Sequence, residues 1–187
     1  MSQLIKLLKE TKIVPAIKTP SQLESAVESK AKVLFLLKSN ISEVKNIVDL
    51  CHSRGKRVFV HLDLLEGLAN DDEAVKYVSE VIRPDGIIST KNSVIKSAKQ
   101  YGMFCVFRVF LIDSHSVQTA LVNAQKNKAD AVEILPGILP EMIDVFKKET
   151  GAEVITGGLI SLQKHIDDAI AHGAICCSVS KECFWCK

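Results

Sequence analysis

Aromatic residues are scarce in this chain, 5% of 187 residues, with one tryptophan and two tyrosines. That argues against a module that reads RNA bases from an aromatic sheet face, and no such motif is present. Charge of one sign is also scarce. A formal net charge of +2 neither demands nor forbids a nucleic-acid partner, because a local basic patch fits inside a balanced total. No apolar run reaches the roughly 18–20 residues needed to cross a bilayer. The opening MSQLIKLLKETK has lysines but no long apolar region and no small-residue cleavage site, so it reads as an amphipathic lead-in helix. A cytoplasmic protein without a membrane partner is expected. The catalytic signatures are missing as well: no nucleophile elbow, no His-Glu-x-x-His, no phosphate loop of the Walker type, and no metal motif of spaced histidines and carboxylates. With 47% apolar and 25% charged residues, what remains is an ordinary folded protein, long enough for one sizeable core.

Six cysteines are present. Cys183-x-x-Cys186 together with Cys176 and Cys177 would supply four thiolates to zinc. Cys176 and Cys177 are adjacent on a predicted strand, however, and should face opposite ways. The expectation is therefore a buried cysteine-rich strand, reduced thiols, and no metal or cofactor.

One pattern recurs from end to end: a short apolar run, a polar turn, an amphipathic segment. The strand candidates are IVPAIK (13–18), KVLFLL (32–37), RVFVHLD (57–63), GIIST (86–90), FCVFRVF (104–110), AVEILPG (131–137), EVITGGL (153–159) and AICCSVS (174–180). Most are continuous rather than alternating, as strands buried on both faces of a parallel sheet are. Between them lie helical stretches. One opens at Ser21, with Glu24 placed for a capping box. Another carries Val44, Ile47, Val48 and Cys51 on one stripe. Several end at glycines, Gly102, Gly151 and Gly173. Eight strands alternating with helices predict an α/β fold, a compact (β/α)8 barrel of the TIM type over residues 1–187. Its loops should be minimal and its last helix truncated, since only KECFWCK follows the eighth strand. A doubly wound open sheet is the competitor, but no Gly-x-Gly-x-x-Gly follows the first strand.

In such a barrel, ligands sit at the C-terminal ends of the strands. There the sequence offers Lys18, Lys38, Ser39, Asn40, His61, Asp63, Ser89, Lys91, Arg108, Glu133, Ser178 and Ser180. A whole ring of polar groups in apolar strands points to a ligand site. Gly157 and Gly158 suit a phosphate held by backbone N–H groups after the seventh strand, with the hydroxyls of Ser178 and Ser180 as further donors. His61 and Asp63, two apart, would both face inward if the strand runs through them. Asp63 or Glu133 could serve as a general base, and Lys91 could form a Schiff base or pair with phosphate. These residues permit an enzyme without specifying a reaction. Basic groups at Arg54, Lys56 and Arg57, at Lys126 and Lys128, and at Lys147 and Lys148 read individually as solvated surface. Tyr101, Phe104 and Trp185 are the candidates for stacking on bases.

PAIK, VFVHLDLLEGL, PDGIISTK, FRVFLIDS, EILPGILP, TGGLI and SVS occur in that order. Together they resemble the glycerol-3-phosphate-responsive antiterminators, bacterial regulators of glycerol use, from about Pro15 to Trp185. The resemblance implies a β/α barrel that binds glycerol 3-phosphate and then the leader of a messenger RNA, allowing transcription past a terminator. It implies a sensor rather than a catalyst. On that reading Gly157, Gly158, Ser178 and Ser180 hold the phosphate. Lys18, Lys91 and Arg108 neutralise or orient the ligand, Asp63 and Glu133 accept from its hydroxyls, and His61 completes the pocket. Lysines at 18 and 91 stand where many members have arginine, which keeps the charge and loses the bidentate fork. A homo-oligomer is compatible with the sequence, which does not fix the oligomeric state. The alternative on the same barrel is a phosphosugar or phosphotriose enzyme of the isomerase or lyase type.

Overall fold

A computed structural model of the chain describes residues 3–185. Eight parallel strands close into a barrel: β1 (Ile13–Ile17), β2 (Val33–Leu36), β3 (Arg57–His61), β4 (Gly86–Ser89), β5 (Phe104–Phe110), β6 (Ala131–Leu135), β7 (Glu153–Gly157) and β8 (Cys176–Val179). Each strand pairs with its sequence neighbour, and β8 returns to β1 through Ile13–Cys177 and Val14–Ser178. All eight lie within the predicted runs. The helices are α1 (Gln3–Thr11), α2 (Leu23–Glu28), α3 (Val44–Ser53), α4 (Asp72–Tyr77), α5 (Asn92–Gln100), α6 (Ser114–Asn127), α7 (Pro140–Thr150) and α8 (Gln163–Ala171).

Strand alternation splits the core into two clusters. Inside the barrel lie Val14, Val33, Phe35, Phe59, Ile88, Val106, Ala131, Ile155 and Cys176, with the Phe35 and Phe59 rings stacked at 5.4 Å. Outside, between strands and helices, lie Leu34, Val58, Ile87, Cys105, Val132, Val154 and Cys177. Cys176 and Cys177 thus face opposite ways, as adjacent strand residues must. They cannot join one tetrahedral site, and Cys186 lies outside the described residues. Burial pushes the Cys177 thiol up to about 11 and that of Cys105 to about 12, the character of structural thiols.

The lead-in helix has a definite task. Ile5 and Leu8 of α1 join the inner cluster and stopper the N-terminal end of the barrel. Among the described residues no α-helix follows β8. After β8 the chain makes a single 3-10 turn, Glu182–Phe184, and Trp185 is buried with its Nε1 donating to the Val179 carbonyl at 2.7 Å. Phe184 and Trp185 thereby join the outer cluster.

Two local expectations need correction. Ser21 caps no helix: it sits within a 3-10 turn, Pro20–Gln22, and its hydroxyl pairs with that of Thr19. The stacking aromatics are likewise committed elsewhere. Trp185 is core, Phe104 lies inside the barrel, and the Tyr101 hydroxyl donates to Asp72 at 3.2 Å. The basic run at 54–57 is partly consumed too. The Lys56 ammonium is buried against the carbonyls of Ser29 and Ala31, and Arg57 pairs with Asp85.

Candidate functional site

The inner apolar layer ends one alternation step below the mouth. The next inward positions toward the C-terminal ends are His61 above Phe59, Arg108 above Val106, Glu133 above Ala131, Gly157 above Ile155 and Ser178 above Cys176. Register brings Arg108 beside Glu133 and Ser178 beside Gly157. Glu133 is fully buried, and both its oxygens are engaged: Oε2 accepts from Arg108 Nε at 2.7 Å, and Oε1 accepts from the Ser178 hydroxyl. A buried carboxylate is tolerable only when paired in this way. The bond to Glu133 uses Nε, so it leaves the outer nitrogens of the Arg108 guanidinium available as donors in a residue that lines the cavity.

Above this network opens a cleft of about 400 Å³, lined by Lys18, Arg108, Gly158, Ser178 and Ser180, with Leu64, Phe110 and Leu159 among its apolar walls. It thus gathers five of the ten site residues expected from the sequence. Gly157, Glu133 and His61 lie in the floor beneath. The glycine pair divides its labour. A Cβ on Gly157 would meet Glu133 Oε1 at 2.7 Å and the Ser178 hydroxyl, so this glycine makes room for the buried network. Gly158 faces the cleft and needs its freedom for conformation, with φ at +73°. Leu159 follows at +57°, a left-handed torsion that a bulky residue adopts only under constraint. Among the described residues no separate short helix follows β7; α8 itself starts at Gln163.

His61 is 3% exposed, and its Nδ1 has no hydrogen-bond partner among the described residues. Burial first, and the Arg108 cation second, lower its pKa to about 4, so the ring is neutral at pH 7.

Asp63 and Lys91 form a separate group. β3 ends at His61 and the chain turns into a 3-10 segment, Leu62–Leu64, so Asp63 does not share the inward face of His61. Its carboxylate braces the end of β4, accepting from the Ser89 hydroxyl at 2.6 Å and from Thr90 N and Oγ1 at 2.7 Å. Burial alone would raise its pKa; these hydrogen bonds outweigh that and hold it below the usual carboxylate value. With its side-chain amide oriented to satisfy both neighbours, Asn70 bridges this group, the nitrogen 3.1 Å from Asp63 Oδ1 and the oxygen 3.2 Å from Lys91 Nζ. Lys91 is the residue preceding α5 and does not line the 400 Å³ cleft. A second cleft, of about 340 Å³, opens outside the barrel wall between the β1 and β2 ends and shares Lys18 and Lys38 with the first. In it Lys38 pairs with Glu66 at 3.2 Å.

Sequence reasoning missed Gln22. Its Oε1 accepts from Lys18 N at 2.9 Å and its Nε2 donates to the Ser180 carbonyl at 2.9 Å, clamping the ends of β1 and β8 together at the rim. It missed Asn70 and the apolar wall as well. None of these carries a periodic signal in the sequence.

Fold and site together define a small parallel β/α barrel with an open polar mouth over a buried Arg–Glu–Ser network. The model of the glycerol-3-phosphate responsive antiterminator family matches residues 13–185, and the chain belongs to that family. Its fold is close to that of the glycerol uptake operon antiterminator regulatory protein of Listeria monocytogenes, with a TM-score of 0.90 at 35% identity, covering 93% of this chain and 94% of that one. An antiterminator-related protein of Thermotoga maritima has a TM-score of 0.84 at 30% identity, covering 94% and 98%. The uncharacterized protein YgcP of Escherichia coli K12 is 32% identical over 182 residues, 97% of this chain and 95% of that one. The deoxyribose phosphate aldolase of Aeropyrum pernix, at 16% identity with a TM-score of 0.69 over 99% of this chain and 91% of that one, shares the barrel fold.

Proposed function

We propose that this chain binds glycerol 3-phosphate in the barrel mouth and, in the liganded state, binds a leader messenger RNA and promotes transcription through a terminator in glycerol-utilisation genes. The observation that carries the reading is the Arg108–Glu133–Ser178 network under the 400 Å³ cleft, in a chain of this family. On this reading the Lys18 ammonium, the outer Arg108 nitrogens, the Ser180 hydroxyl and the backbone at Gly158 receive the phosphate. The Ser178 hydroxyl already donates to Glu133, which leaves its oxygen free to accept from a ligand hydroxyl. The nearby lysines Lys38, Lys91 and Lys181 supply the positive side of the mouth for RNA phosphates. No helix among the described residues is long and apolar enough to cross a membrane, and the reading places the protein in the cytoplasm with its RNA.

The ligand must favour the RNA-competent state over the resting one, or it switches nothing. A titration of the glycerol-operon leader RNA with and without glycerol 3-phosphate, at two salt concentrations, tests this. Tighter binding with ligand and a steep loss with salt are expected. RNA binding that ignores the ligand at every salt concentration overturns the gating.

A further inference from the structure

The C-terminal face of the barrel is polarised. Lysines 18, 38, 91 and 181 follow β1, β2, β4 and β8. On the opposite side, residues 109–125, 129–146 and 149–163 contain no lysine or arginine at all. That side instead exposes Phe110, Ile112, Ile138, Leu139, Leu159 and Leu162, with Ile112 at 84%, Leu159 at 70% and Leu162 at 58%. We propose that this apolar rim over β5, β6 and β7 is the interface of a homodimer.

The rim is one preformed surface. Leu111 N donates to the Leu135 carbonyl at 2.7 Å and Gly137 N to the Gly158 carbonyl at 3.0 Å, which ties the three loops together. Ile112 is held in place from behind. Its N–H and that of Asp113 donate to the Ser116 hydroxyl, within the capping box that starts α6. A residue just before an N-cap often folds back onto the fourth helical residue, here Val117. At 84% exposure Ile112 points away instead.

The missing cations tell against nucleic acid as the occupant, since phosphate backbones are held by lysine and arginine. With side chains of this size at roughly 150–200 Å² each, the exposed fractions leave on the order of 600 Å² of apolar surface. A standard interface buries about 800 Å² per partner, somewhat over half of it apolar, so the patch supplies what one such contact needs. Closed two-fold pairing sets the same apolar patch against itself, with the exposed charges of Asp113, Glu141 and Lys164 at its margin.

Sedimentation of the full chain from about 1 to 100 µM, without RNA or ligand, tests the interface independently of the RNA reading. Wild type is expected to run as a concentration-dependent dimer. Ile112→Glu and Leu162→Ser should run as monomers with an unchanged far-UV circular dichroism spectrum. Val122→Glu, an exposed apolar position on α6 away from the rim, should remain dimeric. A wild-type monomer across the whole range overturns the proposal, as does a dimer that survives both rim substitutions. Loss of leader-RNA binding in Ile112→Glu with wild type monomeric throughout would assign the rim to RNA instead.

Discussion

Gly157 and Glu133 fill complementary space on adjacent strands: a Cβ added to Gly157 would stand 2.7 Å from Glu133 Oε1. The absence of a side chain on β7 is thus the condition for a buried carboxylate on β6. Gly157→Ala should cost about 1–3 kcal/mol, as overpacking does, and should displace the network that orients Arg108. Gly158→Ala meets the Leu135 side chain, Cδ2 nearest at 3.1 Å, and has to hold a left-handed torsion. Its expected cost is about 1–2 kcal/mol. Urea unfolding measures both. The signature of the steric account is that Gly157→Ala weakens ligand binding although residue 157 does not line the cleft, and wild-type affinity in that variant would refute it.

Arg108 and Glu133 form a buried ion pair, 6% and 0% exposed. Removing one charge strands the other. Glu133→Gln keeps the shape and should cost about 3–5 kcal/mol. The double variant Arg108→Met/Glu133→Leu should recover most of that loss while binding no glycerol 3-phosphate. If the single variant is as stable as wild type by chemical denaturation, Glu133 is not the partner that makes burial of Arg108 tolerable.

His61 makes stability depend on pH in a definite direction. Its folded pKa is lowered to about 4, against about 6.5 in the unfolded chain. The unfolded state therefore takes up a proton that the folded state refuses as pH drops below 6.5. The associated stability is present in full above that value and is lost on the way down to about 4, reaching about 3 kcal/mol. His61→Asn should flatten the stability–pH curve between pH 6.5 and 4. Urea midpoints at half-unit intervals show whether it does. An unchanged slope in the variant would mean another group carries the acid sensitivity.

The strands were readable because both faces of a parallel barrel strand are buried, which leaves continuous apolar runs in the sequence. Arg108 and Glu133 were readable for the converse reason, as charges within such runs. What failed to show was whatever depends on the exact end of a strand. Asp63 is two residues from His61, but β3 stops at His61, so the same-face rule lapses and the carboxylate turns to Ser89 and Thr90. The partnership of Glu133 with Ser178 joins residues 45 apart in sequence and reaches across Gly157 on the strand between them, which no local pattern encodes. Trp185 gave no sign of being core, because it follows the last strand in a short stretch with no apolar periodicity.

Gln22 offers the sharpest test of the mouth as a ligand site. It touches no predicted phosphate donor by side chain; it holds the backbone of two cleft-lining residues, Lys18 N–H and the Ser180 carbonyl, each at 2.9 Å. Gln22→Ala leaves every charge in the cleft in place. It removes two partly exposed hydrogen bonds, each contributing about 1 kcal/mol. If Lys18 and Ser180 meet the same ligand, loosening their spacing should weaken glycerol 3-phosphate binding about tenfold by calorimetry, with enthalpy lost more than entropy. Gln22→Glu keeps the acceptor for Lys18 N but sets a carboxylate against the Ser180 carbonyl and adds a negative charge near the phosphate, so its affinity should fall below that of the alanine variant. Wild-type affinity in Gln22→Ala, together with a normal unfolding midpoint, would mean that the ligand does not span the ends of β1 and β8.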